Sequence, residues 1–457
     1  MFRPLLTALL LTGAATVQAA TPAEIAAARA ILGEAVATPT VIGRGQVPAL
    51  AAKLRARLVA AGYAPADVVV TPVGETAVLS AVYRGTGKAR PIAVIGHLDV
   101  VEANPKDWTR DPFTMVEDGG YLFGRGVADN KFDVSMIVET LIRLKSEGFK
   151  PRRDIILYLS GDEETDGKTA AIQAKEAKAA NVEFVLNGDS GGGSLGPDNQ
   201  PVGYKLSGAE KTYADIEVVF TNPGGHSSAP RADNAIYRLA KALDKVAAYQ
   251  FPPMANELTR ASLADAATRE TGALGAALKA FAANPADAAA AATISADPSW
   301  VGQVRTTCVA TQVSGGHAQN ALPQRAAANI NCRIFPGTSV ESVVATLTKV
   351  IGDDAASIKT VGGWQATDAS PLRPDVVGAV EHAVHGRYPK LKVVAGMDAG
   401  ASDSVFYRAA GIPSYGVAGL FIKSSDDFMH GLNERVPVSA IGPALDHWHV
   451  LLTDIAK

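Results

Sequence analysis

"RDIILYLSGDEE", residues 153–164, runs from an unbroken apolar stretch into three adjacent acids, Asp162, Glu163 and Glu164. A short apolar run of this kind, ended by a glycine, reads as a strand buried between helical layers. Like charges side by side at the end of such a strand repel one another and resist desolvation. Either the acids face water in a turn, or something positive sits between them.

Two other apolar runs end in the same way. "PIAVIGHLDVV" (91–101) delivers His97 and Asp99, and "VEFVLNGDSGG" (182–192) delivers Asp189. Sites in open α/β sheets form outside the C-terminal ends of the strands. Helical patterns such as "SMIVETLIRLKSEG" (135–148) and "KTAAIQAKEAKAA" (168–180) alternate with these runs. The fold class is therefore α/β, a central mixed sheet flanked by helices.

Near residue 209 the pattern changes. A strand (211–220), a helix (234–249), two strands flanking Asn320, a helix (339–352) and a last strand (356–361) follow in order. This β-α-β-β-α-β order is the ferredoxin-like plan. The resulting division is a leader over 1–20, a first α/β part over 21–208, an inserted domain over 209–366, and a second α/β part over 367–457. Within the inserted domain an Ala-rich helical insertion spans 251–303 and reads as plain packing helix.

The chain of 457 residues is 47% hydrophobic and 19% charged, the balance of a globular protein with more than one core. A net charge of −3 gives no electrostatic reason to expect nucleic acid or an anionic membrane as a partner. The start, "MFRPLLTALLLTGAATVQAATPAE", has one basic residue, a short apolar centre and small residues after it. It reads as a secretory signal cut after Ala19 or Ala20, which predicts a secreted or periplasmic protein with no membrane contact once the signal is gone. Cys308 and Cys332 then lie in an oxidising compartment, each 12 residues from Asn320. A simple hairpin brings them opposite one another, and register decides between a disulfide and two buried thiols.

Histidine and carboxylate without cysteine form a ligand set for a borderline divalent metal, most often zinc. Two close metals need about five ligands, one carboxylate bridging them. Asp129 in "LFGRGVADNK" (122–131) and His430 in "DDFMHGLNE" (426–434) are candidates for the remaining positions.

"GHLDVV", "LFGRGVADNK", "GDEE", "NGDSGG" and "FMHG", in this order, resemble the dinuclear zinc metallopeptidases of the M20 family, which include carnosinase-type dipeptidases, carboxypeptidases and N-acyl-amino-acid deacylases. The resemblance spans nearly the whole chain after the leader. It implies that His97 and Asp189 hold one metal, Glu164 and His430 the other, and that Asp129 bridges them. Asp99 would orient His97, and Glu163 would act as general base on a water activated between two Zn2+ ions, with Mn2+ or Co2+ as substitutes. One departure is Phe132, where the family usually has glycine.

The same resemblance implies that 21–208 and 367–457 form the catalytic domain and that the inserted domain is a lid and dimerisation domain, and it assigns residues there. His226 in "NPGGHSSAP" (222–230) would cross a homodimer interface and polarise the scissile carbonyl in the other subunit. Asn320 would contact the region of that carbonyl, and Arg333 would pair with a substrate carboxylate. Ser402 in "DAGASDS" (398–404) is a candidate substrate contact. Aspartate at position 189 leans, within the family, towards a dipeptidase or aminopeptidase of small peptides. A deacylase of N-acyl amino acids or a carboxypeptidase would use the same ligands. A non-catalytic exported binding protein would have no use for an unligated Glu163 beside the metals.

Overall fold

The computed structural model describes residues 19–362 and 366–457. The leader assigned to 1–20 therefore lies, up to residue 18, outside the described residues. Among the described residues no helix is long and apolar enough to cross a membrane.

Ten strands form the central sheet. Its middle is parallel: Ile155–Ser160, Ile92–His97, Val185–Asn187 and Ser414–Gly416 lie side by side. Antiparallel strands Val68–Val73 and Thr76–Tyr83 close one side, and Pro201–Glu210, Gly192–Leu195 and Phe421–Lys423 extend the other. Every residue of Ile92–His97 and of Ile155–Ser160 is buried, because helices cover both faces. Val94 and Leu157 face one layer, with helices Pro22–Val36, Lys131–Ser146 and Ile441–Ile455. Ala93, Ile95, Ile156 and Tyr158 face the other, with Lys168–Ala179. Phe132, in the place of the family's glycine, is fully buried in the first layer.

The chain leaves this sheet at Glu210 and enters a second one at Thr212, with only Lys211 between. The second sheet has the order Thr307–Gly315, Arg325–Ile334, Thr212–Thr221, Ser357–Val361, antiparallel throughout. Helices Ala235–Ala248 and Val340–Ile351 cover one face, a ferredoxin-like arrangement. Alternation sends Ile216, Val218, Ile330 and Ile334 to the helices and leaves Tyr213, Asp215, Asn331 and Arg333 on the opposite face. Cys308 and Cys332 stand directly opposite in register and are disulfide-bonded. Residues 309–315 of the edge strand are exposed.

The Ala-rich insertion forms helices Glu257–Ala266, Gly272–Ala283, Ala288–Ser295 and Val301–Val304 around its own core of Leu263, Leu278, Phe281 and Ile294. Leu258 joins it to Ala209, Phe335 and Met397, so the insertion rests on the seam between the two sheets.

Trp448 is fully buried and donates from Nε1 to Asp133 Oδ1 at 2.7 Å, which also accepts from Gly419 N at 2.7 Å. Burial raises the Asp133 pKa to about 6. Trp448→Phe removes one donor from a buried acceptor and is expected to cost about 1–3 kcal/mol. Urea unfolding followed by circular dichroism measures this; an unchanged midpoint would contradict the packing described.

Candidate metal centre and active site

In-register pairing sets His97 opposite Ser160 and Ile95 opposite Asn187, so all three acid-bearing ends emerge at one level. Gly161 permits the turn out of the strand. A Cβ there would stand 2.3 Å from Thr76 Oγ1 and 2.5 Å from the Ala77 carbonyl oxygen. The turn then separates its three acids. Asp162 accepts the N–H groups of Lys168 at 3.0 Å and Thr169 at 2.9 Å, satisfying the first turn of helix Lys168–Ala179. Glu163 and Glu164 continue into the cleft, their N–H groups donating to Asp99 Oδ1 at 3.1 Å and Oδ2 at 3.0 Å. The Asp99 carboxylate thus holds the acidic turn and lies 3.5 Å from His97 Nδ1, whose nearer neighbour is the Asp99 backbone oxygen at 3.1 Å.

Asp129 stands between the two histidines. Its Oδ1 lies 2.9 Å from His97 Nε2 and its Oδ2 3.1 Å from His430 Nε2. Asp189 Oδ1 is 3.4 Å from His97 Nε2, and Glu164 Oε2 is 2.9 Å from His430 Nε2. The five residues are thus brought together as two His–carboxylate pairs on either side of Asp129. Ligand atoms of His97, Asp129 and Glu164 lie within 4.8 Å of one another.

The electrostatics fit cations. Desolvation opposes charge on His97, yet Asp189, Asp129 and Asp99 raise its pKa well above the usual value. Hydrogen bonds that its ring donates to Asp129 and Glu164 raise His430 to about 10. Burial lifts Asp189 to about 7 and Glu163 well above the ordinary carboxylate range, with Asp189, Asp403 and Glu164 adding repulsion at Glu163. Two imidazolium ions are thus the positive charge available to a buried acidic cluster. Divalent ions held by these nitrogen and oxygen atoms would replace those protons, and the donor types suit Zn2+, Mn2+ or Co2+.

A pocket of about 180 Å³ opens on Asp129, Glu163, Glu164, Asp189 and His430. Past Asp189 and Ser190 it adjoins a chamber of about 740 Å³, whose far wall includes Ser262, Asp265 and Arg269 of the insertion. The insertion therefore lines the chamber beside the site, which its Ala-rich composition conceals.

The remaining expected residues are placed differently. Arg333 lies on the helix-free face of the second sheet, 4.7 Å over the Tyr213 ring. Burial lowers its pKa, and the charges of Tyr213, Asp215 and Glu163 act against this. His226 is exposed in strand Gly225–His226, and the next residue, Ser227, donates to the Asn320 carbonyl at 3.0 Å. Neither His226 nor Asn320 lines the pocket or the chamber. Ser402 lines the chamber, but its buried hydroxyl is engaged within the protein, donating to Glu210 at 2.8 Å and accepting from Asn187 at 3.0 Å. Its neighbour Asp403 is the group overlooked. One Asp403 oxygen accepts from Ser160 Oγ and the other has no partner among the described residues. Burial raises its pKa well up, and Asp99 and Asp189 raise it further.

Comparison with known proteins agrees with this geometry. Peptidase family M20/M25/M40 matches residues 93–454. A probable carboxypeptidase S-like 2 of Dictyostelium discoideum is 28% identical over 80% of this chain and 72% of its own length. The N-fatty-acyl-amino acid synthase/hydrolase PM20D1.1 of Danio rerio is 26% identical over the same shares. An M20 family metallo-carboxypeptidase of Sulfolobus solfataricus superposes with a TM-score of 0.73 over 94% of this chain and 99% of that one, at 18% identity. The chain belongs to peptidase family M20/M25/M40 and is a hydrolase of peptide or amide bonds.

Proposed function

We propose that this hydrolase is exported, binds two metal ions and cleaves small peptides whose last residue carries a free carboxylate, dipeptides above all. The observation that carries the reading is Asp129 standing between His97 and His430, 2.9 Å from one and 3.1 Å from the other. In this reading His97 and Asp189 hold one ion, Glu164 and His430 the second, and Asp129 bridges. Such ions, when bound, polarise the scissile carbonyl and make water nucleophilic at neutral pH.

The chain's own residues supply the rest. Glu163, beside the ligands but outside the His–carboxylate pairs, takes a proton from the attacking water and returns it to the leaving amine. Arg333 pairs with the substrate carboxylate through its fork of N–H donors. His226 and Asn320 serve the site of a second copy, with the lid as dimer interface. The disulfide and the leader together favour an oxidising compartment. A second reading, hydrolysis of N-acyl amino acids, is favoured by the name of the Danio rerio relative and by Arg333, since these substrates carry the same carboxylate.

Incubating metal-loaded protein with free dipeptides, N-acylated amino acids and C-terminally amidated dipeptides, with products read by mass, tests the reading. Free dipeptides are expected to be cleaved and amidated ones refused, and Arg333→Met is expected to raise KM for the former. Cleavage of N-acyl amino acids alone would select the second reading; efficient cleavage of the amidated series would remove Arg333 from recognition.

Glu163→Gln is expected to lower kcat by about 10²–10⁴-fold with metal content unchanged. His226→Ala should lose about 3–4 kcal/mol of transition-state stabilisation, again with normal metal content. Full turnover in either variant would remove that residue from the mechanism.

Metal uptake should depend on pH. His430 is protonated in the metal-free protein up to about pH 10 and must be neutral to ligate, so uptake at pH 7 displaces a proton. Apparent Zn2+ affinity is therefore expected to rise between pH 6 and pH 8. Titration in buffers of different ionisation enthalpy measures the proton release; a flat affinity with none would exclude His430 as a ligand.

A further inference from the structure

The mechanism above leaves unused a buried ion pair beside the cluster. Glu434 is 0% exposed at its side chain and Arg125 is 3% exposed, with Arg125 Nη1 2.7 Å from Glu434 Oε2. Strand Arg435–Pro437 pairs with Tyr121–Phe123, and Gly124 N donates to the Glu434 carbonyl at 3.1 Å. This pairing brings the Glu434 side chain under the loop that runs from Arg125 to Asp129.

The carboxylate accepts three of that loop's N–H groups, while Val127 N donates to the Gly124 carbonyl at 3.2 Å. Oε2 accepts from Gly126 N at 2.9 Å as well as from Arg125, and Oε1 accepts from Ala128 N at 2.8 Å and Asp129 N at 3.0 Å. The last donor belongs to the residue that stands between His97 and His430. Arg125 then extends the contact to the other side: its Nη2 donates to the Gly431 carbonyl at 3.0 Å, one residue beyond His430. The Arg125 guanidinium is backed by the Trp108 ring, 5.1 Å from its centroid. His430 has φ of 61°, a left-handed conformation uncommon for a residue with a Cβ, so its backbone needs holding from outside.

Resting on the metal reading above, we infer that Glu434 and Arg125 form a positioning clamp that sets Asp129 and His430 at one separation and so fixes the geometry of both metal positions. A buried charge pair is expensive to desolvate. Four N–H donors on one carboxylate offset that cost while ordering a five-residue loop that has no regular structure of its own. Glutamine at 434 would keep the shape but turn an NH2 group towards backbone N–H groups, donor against donor. Lysine at 125 would keep the charge but lose the fork that reaches both Glu434 and Gly431.

The test is a Co2+ titration of chelator-stripped protein, read by visible absorption, for wild type, Glu434→Gln and Arg125→Lys. Circular dichroism and thermal unfolding of the metal-free forms run alongside. Both variants are expected to fold and to bind Co2+ about 10–100-fold more weakly than wild type, with an altered ligand-field spectrum. A purely structural role would lower the unfolding temperature and leave affinity and spectrum unchanged, and that result overturns the clamp. Should Glu434→Gln not fold, Arg125→Lys decides alone: it retains the carboxylate and its three backbone donors, and wild-type affinity in it overturns the proposal. A wild type that binds no Co2+, Zn2+ or Mn2+ would overturn the metal reading itself, and the clamp with it. Tight binding by wild type and variants alike would overturn the clamp alone.

Discussion

Asp129, Glu163, Glu164, Asp189 and Asp403 gather acid charge around one cluster at the C-terminal ends of the central strands, where burial weakens the screening by water. Two like charges 4 Å apart cost roughly 4 kcal/mol at an effective dielectric of 20, and each acid here feels several others. No folded chain keeps such a set ionised without positive charge among it. In the protein alone the imidazoles of His97 and His430 take that part, which is why their pKa values rise while burial raises those of Asp189 and Glu163. In the two-metal reading proposed above, divalent ions would take the place of those protons.

The sheet makes the concentration of charge possible. Parallel strands end at the same level, and buried apolar runs make register unambiguous, because a slip of one residue would turn Ala93 and Ile95 to the wrong layer. The polar groups arrive as the residues immediately after each strand, held by backbone geometry rather than by long flexible side chains. Asp99 ties two of these ends together by accepting the N–H groups of Glu163 and Glu164. Asp99, expected to orient His97 and 3.5 Å from its Nδ1, is thus also a cross-brace between two strands. Asp162, which faces away to cap a helix, shows how one turn sorts three neighbouring acids into different tasks.

How far the sequence could be read depends on whether the signal was local. Apolar runs ended by His or acid are local, and the strands bearing His97, Glu163 and Asp189 were legible, as were the two-sheet plan and the ferredoxin-like order. Strand Pro201–Glu210 was not read, since "PVGYKLSGAE" mixes Lys205, Ser207 and Glu210 with small residues and shows neither alternation nor a continuous apolar run. The short strands Val116–Asp118, Tyr121–Phe123 and Arg435–Pro437 escaped for want of length. Ser402 looked like a ligand contact in a Gly-rich loop, but only the tertiary fold shows Glu210 and Asn187 claiming its hydroxyl and Asp403 carrying the unpartnered oxygen. Glu434 is invisible in the sequence for the same reason: its donors lie some 300 residues earlier in the chain. The alanine-rich insertion misled in another way. Its composition reports its own packing, whereas its part in the chamber depends on Ser262, Asp265 and Arg269, three polar residues in a helical texture.

The lid gives the site a division of labour. Alternation in the second sheet keeps its apolar residues against two helices and leaves Arg333, with Tyr213 and Asp215, on the face that senses Glu163. His226 and Asn320 lie together at another part of the same unit, exposed and outside the pocket that holds the acids. The second sheet thus carries Arg333 on its helix-free face, while His226 stands exposed on a separate short strand. In the dimer proposed above, two copies related by symmetry would complete each other's sites with one interface. The edge strand Thr307–Gly315, exposed from residue 309 onward and tied to its neighbour by the Cys308–Cys332 disulfide, is a surface on which the interface proposed above would form with its unpaired backbone edge outward.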